Sequence, residues 1–568
     1  MQKLDLRQDK PIPHVHKTSH EQKEEFERIV QYYLESNPMV SRNNKISELE
    51  VRFNTNSKIS TPITKIDYDN VVKQLYANGF VPEINDGIHM LRIQNQYVDP
   101  NGIQKTSNMR AEIIGLDLIQ EYCRTNSIQK LIDMPSTTFN KLKFTQKQTA
   151  LTGSGEFANK VHVPDFNFKV SYQTEQDFMV NAPYCRKIID KWNDSLKIFR
   201  SMNRVRFRHP DLPIFADMTV IKTSDFRLDK DKNKVLIPRY TVQDSNIFNN
   251  VEQYEIELEI DNYRVGAGTE YNSLQKLMTA LRKCIRVVLC GIQNTKFPIS
   301  YKMRDNIYQS YMRLLLPEDD VNKTNTEIKR KVYPSNFIGP GAITLQMEHV
   351  TDNADNTNKL SPNIRKRYTV TDKADGDRNL LYIHEDGRIY LIDTNMNVIF
   401  TGTKTNEKTT FNSILDGELI KYDKHGKFIN LYAAFDVYYI HDKLVRDLPF
   451  LSPIEHGVEL DHRLSLLYRF INVLNPVSIL ETGSGEVHSK KIPCGFHIQC
   501  KSFYYDSGDK TIFDGCSTIL SNKNDGIFEY NTDGLIFTPA DLAVGANAVG
   551  EKSKVRKTWE SSLKWKPA

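Results

Sequence analysis

The sequence predicts an α+β protein, with an antiparallel β-barrel in its first half and a second domain of antiparallel sheets. Short segments of alternating apolar and polar residues recur between residues 46 and 263, and again after residue 367. Turns rich in Asn, Asp, Gly and Pro separate them, and segments with helical spacing are few. Several strands of the first half also carry charge at every second position, which a closed barrel would gather in a polar lumen.

Composition bounds the class of protein. The chain has 568 residues, enough for roughly two to four domains of about 150 residues each. Its net charge of +5, from 76 basic and 71 acidic residues, is compatible with an anionic ligand. The seven cysteines form no CxxC pair or Cys/His cluster, so we expect a reducing compartment with neither disulfides nor a zinc site. No run of 18 apolar residues occurs, and we expect a soluble intracellular protein that does not bind a membrane.

The order of these elements predicts the domain organisation. Residues 1–20 lack apolar periodicity and predict a flexible arm. Residues 21–325 form the first domain, a barrel with helices. Residues 326–367, rich in Pro, Asn and charge, are a linker and the start of the second domain, which continues over 368–568. The predicted helices are 24–37, 269–290, 302–315 and 461–474.

Two strands carry rows of glutamates on one face. In ISELEVRFN (46–54), Glu48 and Glu50 share a face with Arg52, because side chains alternate along a strand. One such strand alone could simply expose its glutamates to water. Two rows of like charge need a compensating cation, and glutamate oxygens suit Mg²⁺ or Mn²⁺. The second row, in QYEIELEID, comprises Glu255, Glu257 and Glu259.

Other strands of the same region carry basic residues in alternation. A barrel lumen with acids on one wall and bases on another could hold a metal ion beside a phosphate chain. This pattern resembles that of the triphosphate tunnel metalloenzymes, whose two glutamate motifs look like ELEVRF and EIELE. The resemblance implies that the five glutamates bind the metal and that Asp217 orients water. The residues it implies at the triphosphate are Arg92, Lys169, Arg204, Arg206, Arg208 and Lys222.

The second half contains six ordered blocks in which strands carry charged residues, several beside glycine: KADGDR, ILDGELI, AAFDVYYI, HIQCKSF, TDGLIF and LKWKP. One Asp-Gly turn carries no information, but this succession is not explained by turns alone. A lysine amine can attack the α-phosphorus of a nucleotide when it is uncharged, and neighbouring cations and desolvation lower its pKa. The two lysines of LKWKP could neutralise charge in the transition state, while Trp565 between them faces the core.

In this order the blocks resemble the motifs of mRNA guanylyltransferases and polynucleotide ligases. That family has an ATP-grasp-like, ligase-type α+β nucleotidyltransferase fold and forms a covalent lysyl-nucleotide. The resemblance implies that Lys373 is the nucleophile, that Arg378 and Glu418 contact the ribose, and that Phe435 stacks on the base. It also implies contacts of Lys501 with base or phosphate, of Asp533 with metal or lysine, and of Lys564 and Lys566 with the α-phosphate.

Tunnel motifs upstream of lysyl-nucleotide motifs resemble the capping enzymes of large nucleocytoplasmic DNA viruses, of the poxvirus, asfarvirus and mimivirus types. The resemblance implies removal of the RNA γ-phosphate, formation of Lys373–GMP and transfer of GMP to the diphosphate end. We expect 5′-triphosphate RNA and GTP as substrates, Mg²⁺ or Mn²⁺ as cofactor, and a cytoplasmic viral factory or virion as location. The chain stops at Ala568, so we expect the family's OB-fold, and a methyltransferase or its stimulatory subunit, on a longer chain or a partner.

Two alternatives stay open at this point. An ATP-dependent polynucleotide ligase uses the same lysine chemistry, although it has no use for a triphosphate tunnel. A non-catalytic scaffold that binds RNA or polyphosphate is disfavoured, because Lys373, Glu418 and Lys564 are all present. The basic runs 361–368 and 551–559 are candidate RNA-binding surfaces, and each could equally be a solvated loop.

Overall fold

Two compact units make up the chain, Met1–Asn294 and Thr295–Ala568. The boundary predicted near residue 325 is too late, because the helix Tyr301–Leu314 buries Ile307 and Tyr311 in a core of the second unit. The computed structural model describes residues 18–40, 45–56, 59–134, 141–229, 234–315, 331–352, 361–452, 461–480 and 495–567.

Eight strands of the first unit form a closed antiparallel barrel. The strands of this unit are β1 (Lys45–Phe53), β2 (Val81–Pro82), β3 (Ile88–Val98), β4 (Gln104–Thr106), β5 (Met109–Ile114), β6 (Leu142–Thr149), β7 (Val161–Val163), β8 (Phe168–Phe178), β9 (Lys197–Arg208), β10 (Ile214–Thr223), β11 (Phe226–Leu228), β12 (Lys234–Leu236) and β13 (Gln253–Ile260). The ring runs β1–β8–β6–β5–β3–β9–β10–β13 and returns to β1. The predicted antiparallel barrel is confirmed.

Helices cover the outside of the barrel, and this leaves a polar lumen. Ile256 and Leu258 of β13 are buried in one outer core, and Leu91 and Ile93 of β3 are buried in a second. Because side chains alternate along a strand, the residues between these apolar ones point inward. The helices are α1 (Ser19–Glu35), α2 (Lys65–Ala77) and α6 (Leu274–Ile292) at the first core, α3 (Leu116–Thr125) and α4 (Ile128–Ile132) at the second, and α5 (Pro183–Asp190).

The predicted helices exist, with shifted ends. Helix α1 begins before the predicted residue 24, because Thr18 and Glu21 form a reciprocal capping box at its start. The predicted arm lies outside the described residues up to residue 17, and its last two residues belong to this helix. Helix α2 is absent from the sequence prediction, although Thr64 and Asp67 form the same capping box ahead of it.

The second unit contains two sheets and three helices within the described residues. One sheet has the order β14–β26–β25–β15–β24, and the other β21–β20–β19–β16–β17–β18–β22, with β23 beside β20. Pairing is antiparallel except for β14 with β26 and β20 with β23, so the predicted α+β class is confirmed. The elements are α7 (Tyr301–Leu314), β14 (Gly341–Thr344), β15 (Tyr368–Ala374), β16 (Asp377–Ile383), β17 (Arg388–Asp393), β18 (Val398–Lys404), β19 (Ser413–Tyr422), β20 (Phe428–Ile440), β21 (Lys443–Leu444), α8 (Arg463–Val473), β22 (Val477–Ser478), β23 (His497–Cys500), β24 (Tyr504–Tyr505), α9 (Ile512–Asn524), β25 (Thr532–Pro539) and β26 (Thr558–Trp565).

Two expectations from composition, on the cysteines and on membrane-spanning segments, can be compared with the described residues. The cysteines among the described residues are all free thiols. Within the same residues, no helix has the length and apolar character needed to cross a membrane.

Candidate active sites

The glutamate rows predicted from the sequence lie on the inward face of the barrel strands. Glu255, Glu257 and Glu259 alternate along β13 with residues of the buried outer core. Strand β1 pairs with β13 so that Glu50 stands opposite Glu259 and Arg52 stands opposite Glu257. Carboxylates placed directly opposite each other repel, so cations have to lie close by.

Arginines supply part of that positive charge. The Arg52 guanidinium lies 2.8 Å from Glu255 Oε1 and 2.7 Å from Glu257 Oε1. Arg204 of β9 reaches the other oxygen of Glu257 at 3.2 Å. Although burial opposes them, Arg52 and Arg204 lower the pKa of Glu257 to about 2, so this carboxylate is charged at neutral pH.

Asp217 on β10, predicted to orient water, is 1% exposed and is bound by two arginines. Arg206 Nε and Nη2 each donate to an oxygen of Asp217 at 2.8 Å, and Arg204 Nη1 lies 3.1 Å away. Arg206 also pairs with Glu259. Burial raises the pKa of Glu259 to about 8, although Arg206 acts to lower it. The like charge of Asp217 also raises this pKa. Glu259 is therefore partly protonated at neutral pH, and an approaching cation would draw it into the charged form.

Lys147 on β6 is a lumen residue that the sequence analysis did not single out. Its Nζ lies 2.7 Å from Glu48 Oε2 and 2.9 Å from Glu50 Oε2, and so bridges the two carboxylates. The alternation of LKFTQKQT in β6 places Lys143 and Lys147 on one face, and this pattern could have identified both.

The resemblance stated above implies Mg²⁺ or Mn²⁺ at these glutamates. Among the described residues, no three His, Cys, Asp or Glu side chains converge as a group that could hold a metal ion. The donor chemistry nevertheless fits, because the ammonium of Lys147 lies between two carboxylate oxygens and hard oxygen ligands suit both metals. Glu48 and Glu50 would hold such an ion, together with Glu259, which stands opposite Glu50 across the strand pair.

Four of the six predicted triphosphate-binding residues lie along the lumen, including the two arginines already described. Arg92 Nε is 2.7 Å from Glu112 Oε1. Burial lowers the pKa of Arg92 to about 10, and Arg110 adds like charge. Lys169 borders a cavity of about 400 Å³ beside Arg52, and burial followed by the charge of Arg52 lowers its pKa.

The other two differ from these four, and the role of Arg208 stays a prediction. Arg208 is 55% exposed in its side chain and pairs with Glu83. Lys222 lies five residues from Asp217 on β10 and therefore on the opposite face of the strand. It donates to the carbonyl oxygen of Phe248. The prediction for Lys222 is wrong, because the parity of the strand places its side chain outside the lumen.

In the second unit, the predicted nucleophile belongs to a cluster of two lysines and one aspartate. Lys373 Nζ lies 2.6 Å from Asp533 Oδ1, and Lys566 Nζ lies 2.6 Å from Asp533 Oδ2. Against burial, these two lysines lower the pKa of Asp533. A Cβ at Gly534 would lie 1.9 Å from the carbonyl oxygen of Trp565, so only glycine lets β26 come this close to β25. The Asp-Gly pair thus fixes both the charge and the strand spacing.

Glu418 lies beside this cluster with an unused acceptor. Its Oε2 is buried and has no hydrogen-bond partner. Burial raises the pKa of Glu418, while Lys501, Lys373 and Arg378 act in the opposite direction. A buried carboxylate oxygen without a partner is costly, and a ligand hydroxyl would satisfy it.

Arg378, predicted to contact a ribose, is bound to protein atoms. Its Nε and Nη2 donate to the two oxygens of the buried Asp416, and its Nη1 donates to the Pro340 carbonyl at 2.8 Å. The hydroxyl of Tyr438 donates to the same carboxylate. The Arg378 guanidinium lies 5.5 Å from the ring centroid of Phe435. Arg378 therefore orients the ring predicted to stack on a base.

Lys501 is not free to reach a nucleotide in this structure. Its side chain is 3% exposed, and its Nζ lies 3.2 Å from Asp372 Oδ2 and also donates to the Asp372 carbonyl. The hydroxyl of Tyr530 donates to the same carboxylate at 3.2 Å. Asp372 precedes Lys373 on β15, so the ammonium of Lys501 is bound to the nucleophile strand itself. In this structure the charge of Lys501 is paired with Asp372, and its contact with base or phosphate stays a prediction.

The two lysines of LKWKP behave as alternation predicts. Lys564 and Lys566 are two residues apart at the end of β26, while Trp565 packs against a core. Within the described residues, the side chain of Lys564 makes no hydrogen bond or ion pair. Its amine is therefore available to an anion beside the Asp533 cluster.

The two basic runs contribute little to this cluster. In 361–368, Arg365 donates to a backbone carbonyl and Arg367 pairs with an aspartate. In 551–559, Lys557 lies seven residues before Lys564, about 23 Å along an extended strand. Lys557 is therefore separated from Lys564 by most of β26.

The second unit thus combines an α+β fold with two lysines, Lys373 and Lys566, paired with one aspartate. Residues 313–568 match the family model described as the mRNA capping enzyme catalytic domain. The probable mRNA-capping enzyme of Acanthamoeba polyphaga mimivirus is 30% identical over 219 residues, which are 39% of this chain and 15% of that relative. Residues 313–568 are therefore similar to the mRNA capping enzyme catalytic domain, and the match with the mimivirus relative spans only 15% of that protein's length.

Two solved structures are similar to about half of the chain. One is the RNA triphosphatase domain of a trifunctional mimivirus mRNA capping enzyme, with 14% identity, 48% of this chain and 99% of that chain covered, and a TM-score of 0.29. The other is an RNA triphosphatase of S. pombe, with 11% identity, coverage of 51% and 98%, and a TM-score of 0.25.

Proposed function

We propose that the chain performs two steps of mRNA capping. The barrel removes the γ-phosphate of 5′-triphosphate RNA, and the second unit transfers GMP from GTP to the diphosphate end through Lys373. The observation that carries the proposal is the contact of Lys373 and Lys566 with one carboxylate, Asp533, within residues that match the mRNA capping enzyme catalytic domain model.

The lysine cluster supports a covalent transfer. The Lys373 amine attacks the α-phosphorus of GTP, so that a P–N bond forms, the bond to the bridging oxygen breaks and pyrophosphate leaves. Asp533, 2.6 Å from Nζ, is placed to accept the proton that the amine loses. An oxygen of the RNA diphosphate then attacks the same phosphorus, the P–N bond breaks and Lys373 regains a proton.

Other residues of the cluster would bind the nucleotide. The unpartnered oxygen of Glu418 can accept a hydrogen bond from a ribose hydroxyl. Phe435 offers a ring to the base. The amines of Lys564 and Lys566 can neutralise charge on the α-phosphate as the fifth bond forms.

The barrel supports the hydrolytic step. Asp217 holds Arg204 and Arg206 by ion pairs at the lumen wall, where a phosphate chain can replace the carboxylates as their partner. Bound Mg²⁺ or Mn²⁺ would polarise the γ-phosphate. The glutamate rows of β1 and β13 would hold that ion and balance the arginines.

The expected partners and location follow from the same proposal. Single-stranded 5′-triphosphate RNA and GTP are the substrates, and a methyltransferase or its stimulatory subunit would act on the product. The similarity to a mimivirus protein supports a cytoplasmic viral factory or virion as the location.

Labelling tests the transferase. The protein is incubated with α-labelled GTP and, separately, ATP, and is examined on a denaturing gel for a labelled band. We expect a GTP-dependent band that disappears in Lys373→Ala and persists in Lys443→Ala, an exposed lysine of the same unit. A band with ATP alone would replace the proposal with the ligase alternative.

Release of γ-phosphate tests the barrel. Triphosphate-ended RNA should lose its γ-phosphate in the presence of Mg²⁺ or Mn²⁺, and Glu257→Ala should abolish the release. Glu252→Ala, an exposed carboxylate next to the same strand, is the matched control and should retain it. Release that survives in Glu257→Ala would rule out the lumen as the site.

A further inference from the structure

The hairpin between β19 and β20 carries an aromatic pair on the protein surface. Tyr422 and Phe428 are cross-strand partners with ring centroids 5.8 Å apart. They are 58% and 45% exposed. Two adjacent exposed rings form a larger apolar surface than the isolated exposed side chains common on soluble proteins.

Lysines surround these rings. Lys296 Nζ lies 4.6 Å from the ring centroid of Phe428, Lys424 donates to a neighbouring carbonyl, and Lys427 is exposed. Asp423, the acid within the turn, accepts hydrogen bonds from two backbone N–H groups at 2.8 Å, so its carboxylate is engaged inside the hairpin. Exposed rings interleaved with amines suit bases and phosphates together.

The hairpin continues from the nucleotide cluster along one strand. Tyr422 lies four residues beyond Glu418 on β19 and on the same face of the sheet, with the buried Ile420 between them. Four residues of strand span about 13 Å. A stacked nucleic-acid strand advances about 3.4 Å per nucleotide, so the distance from Glu418 to Tyr422 corresponds to about four nucleotides.

We infer that the hairpin 421–428 docks the 5′ segment of the RNA that accepts GMP. The inference rests on the proposed function, since it assumes that an RNA end reaches Lys373. Bases a few nucleotides from the diphosphate end would stack on Tyr422 and Phe428, and their phosphates would contact the surrounding lysines. Stacking has little sequence preference, which suits an enzyme that has to accept many transcripts.

Binding of fluorescent 5′-diphosphate RNA, measured by anisotropy, tests the inference without activity. The double variant Tyr422→Ala/Phe428→Ala should bind an octanucleotide about 10- to 100-fold more weakly than the parent does. It should bind a dinucleotide equally well, because two nucleotides do not reach the hairpin. The control Tyr263→Ala removes an 80% exposed ring of the first unit and should change neither affinity.

Two further readouts separate the possible results. GMP transfer should show a raised KM for the octanucleotide with unchanged formation of lysyl-GMP. In Lys424→Gln/Lys427→Gln, the slope of log affinity against log salt should fall by about 1.4, since each phosphate contact contributes about 0.7 on a single strand.

Unchanged octanucleotide binding in the aromatic double variant would overturn the inference and leave the surface to a protein partner. Equal loss for both RNA lengths would also overturn it, because the defect would then lie at the cleft or in folding. Absence of lysyl-GMP in the parent, with the binding difference intact, would refute the proposed transferase and leave RNA docking standing.

Discussion

Replacing Gly534 with alanine should disable the lysine cluster without touching the barrel. The added Cβ would lie 1.9 Å from the Trp565 carbonyl oxygen, whereas real Cβ atoms essentially never approach closer than 3.0 Å. Strand β26 would therefore move by about 1 Å or more, and such a displacement of catalytic groups costs about 100-fold in rate. Because Lys564 and Lys566 flank Trp565, we expect formation of lysyl-GMP to fall by about that factor.

Labelling time courses with α-labelled GTP measure this effect, and γ-phosphate release by the same preparation reports whether the first unit is intact. Gly508→Ala is the matched control, because Gly508 also has a positive φ, of +87°, but has no atom within 4 Å of the added Cβ. It should show only the cost of backbone strain. Labelling of Gly534→Ala at the parent rate would refute the argument, since the strand spacing would then not position the lysines.

Three further predictions concern buried charges. The pKa of Glu259 is raised to about 8, so the stability of the first unit should fall as the pH rises from about 4.5 to 8. In thermal unfolding, Glu259→Gln should reduce the dependence of stability on pH. If that dependence is unchanged in the variant, other groups cause it. Lys501→Met should lower the kcat of lysyl-GMP formation and leave the KM for GTP unchanged, because Lys501 contacts Asp372; a raised KM would indicate nucleotide contact. Asp436→Ala leaves the fully buried Arg463 unpaired and should destabilise the second unit by about 3–5 kcal/mol in denaturant unfolding, and a smaller loss would mean that water reaches the guanidinium.

The sequence predicted the barrel because its strands alternate cleanly between an apolar and a charged face. In EIELE, for example, the alternation of glutamate with apolar residues is visible in the sequence without knowledge of distant contacts. The order of strands round the ring was not accessible, because closure of β3 on β9 depends on contacts about 100 residues apart in the chain. The domain boundary was misplaced for a similar reason: the pattern of Tyr301–Leu314 predicts a helix, but it does not say which core the helix joins.

The sequence predicted different parts of the candidate site in the two units. In the second unit, short motifs identified Lys373 and Asp533, and β15 and β25, which carry them, do pair. The ion pair of Lys501 with Asp372 was not predicted, because a motif records position and the burial of an ammonium is a tertiary property. In the barrel, the alternation of side chains along a strand is enough to exclude Lys222 from the lumen. The same alternation would have placed Lys147 in the lumen.

Most charged groups of the two candidate sites are paired with one another, and these ion pairs bear on the chemistry. Lys373 Nζ forms an ion pair with Asp533 at 2.6 Å, yet attack on phosphorus requires the neutral amine. Phosphates that enter beside Lys564 and Lys566 would compete for the ammonium of Lys566 and free one oxygen of Asp533 to accept a proton. In the barrel, phosphates would likewise take arginines from Asp217 and Glu257, and the carboxylates so released would attract a cation. In each unit the proposed substrate would therefore complete the site by replacing one partner of an internal ion pair.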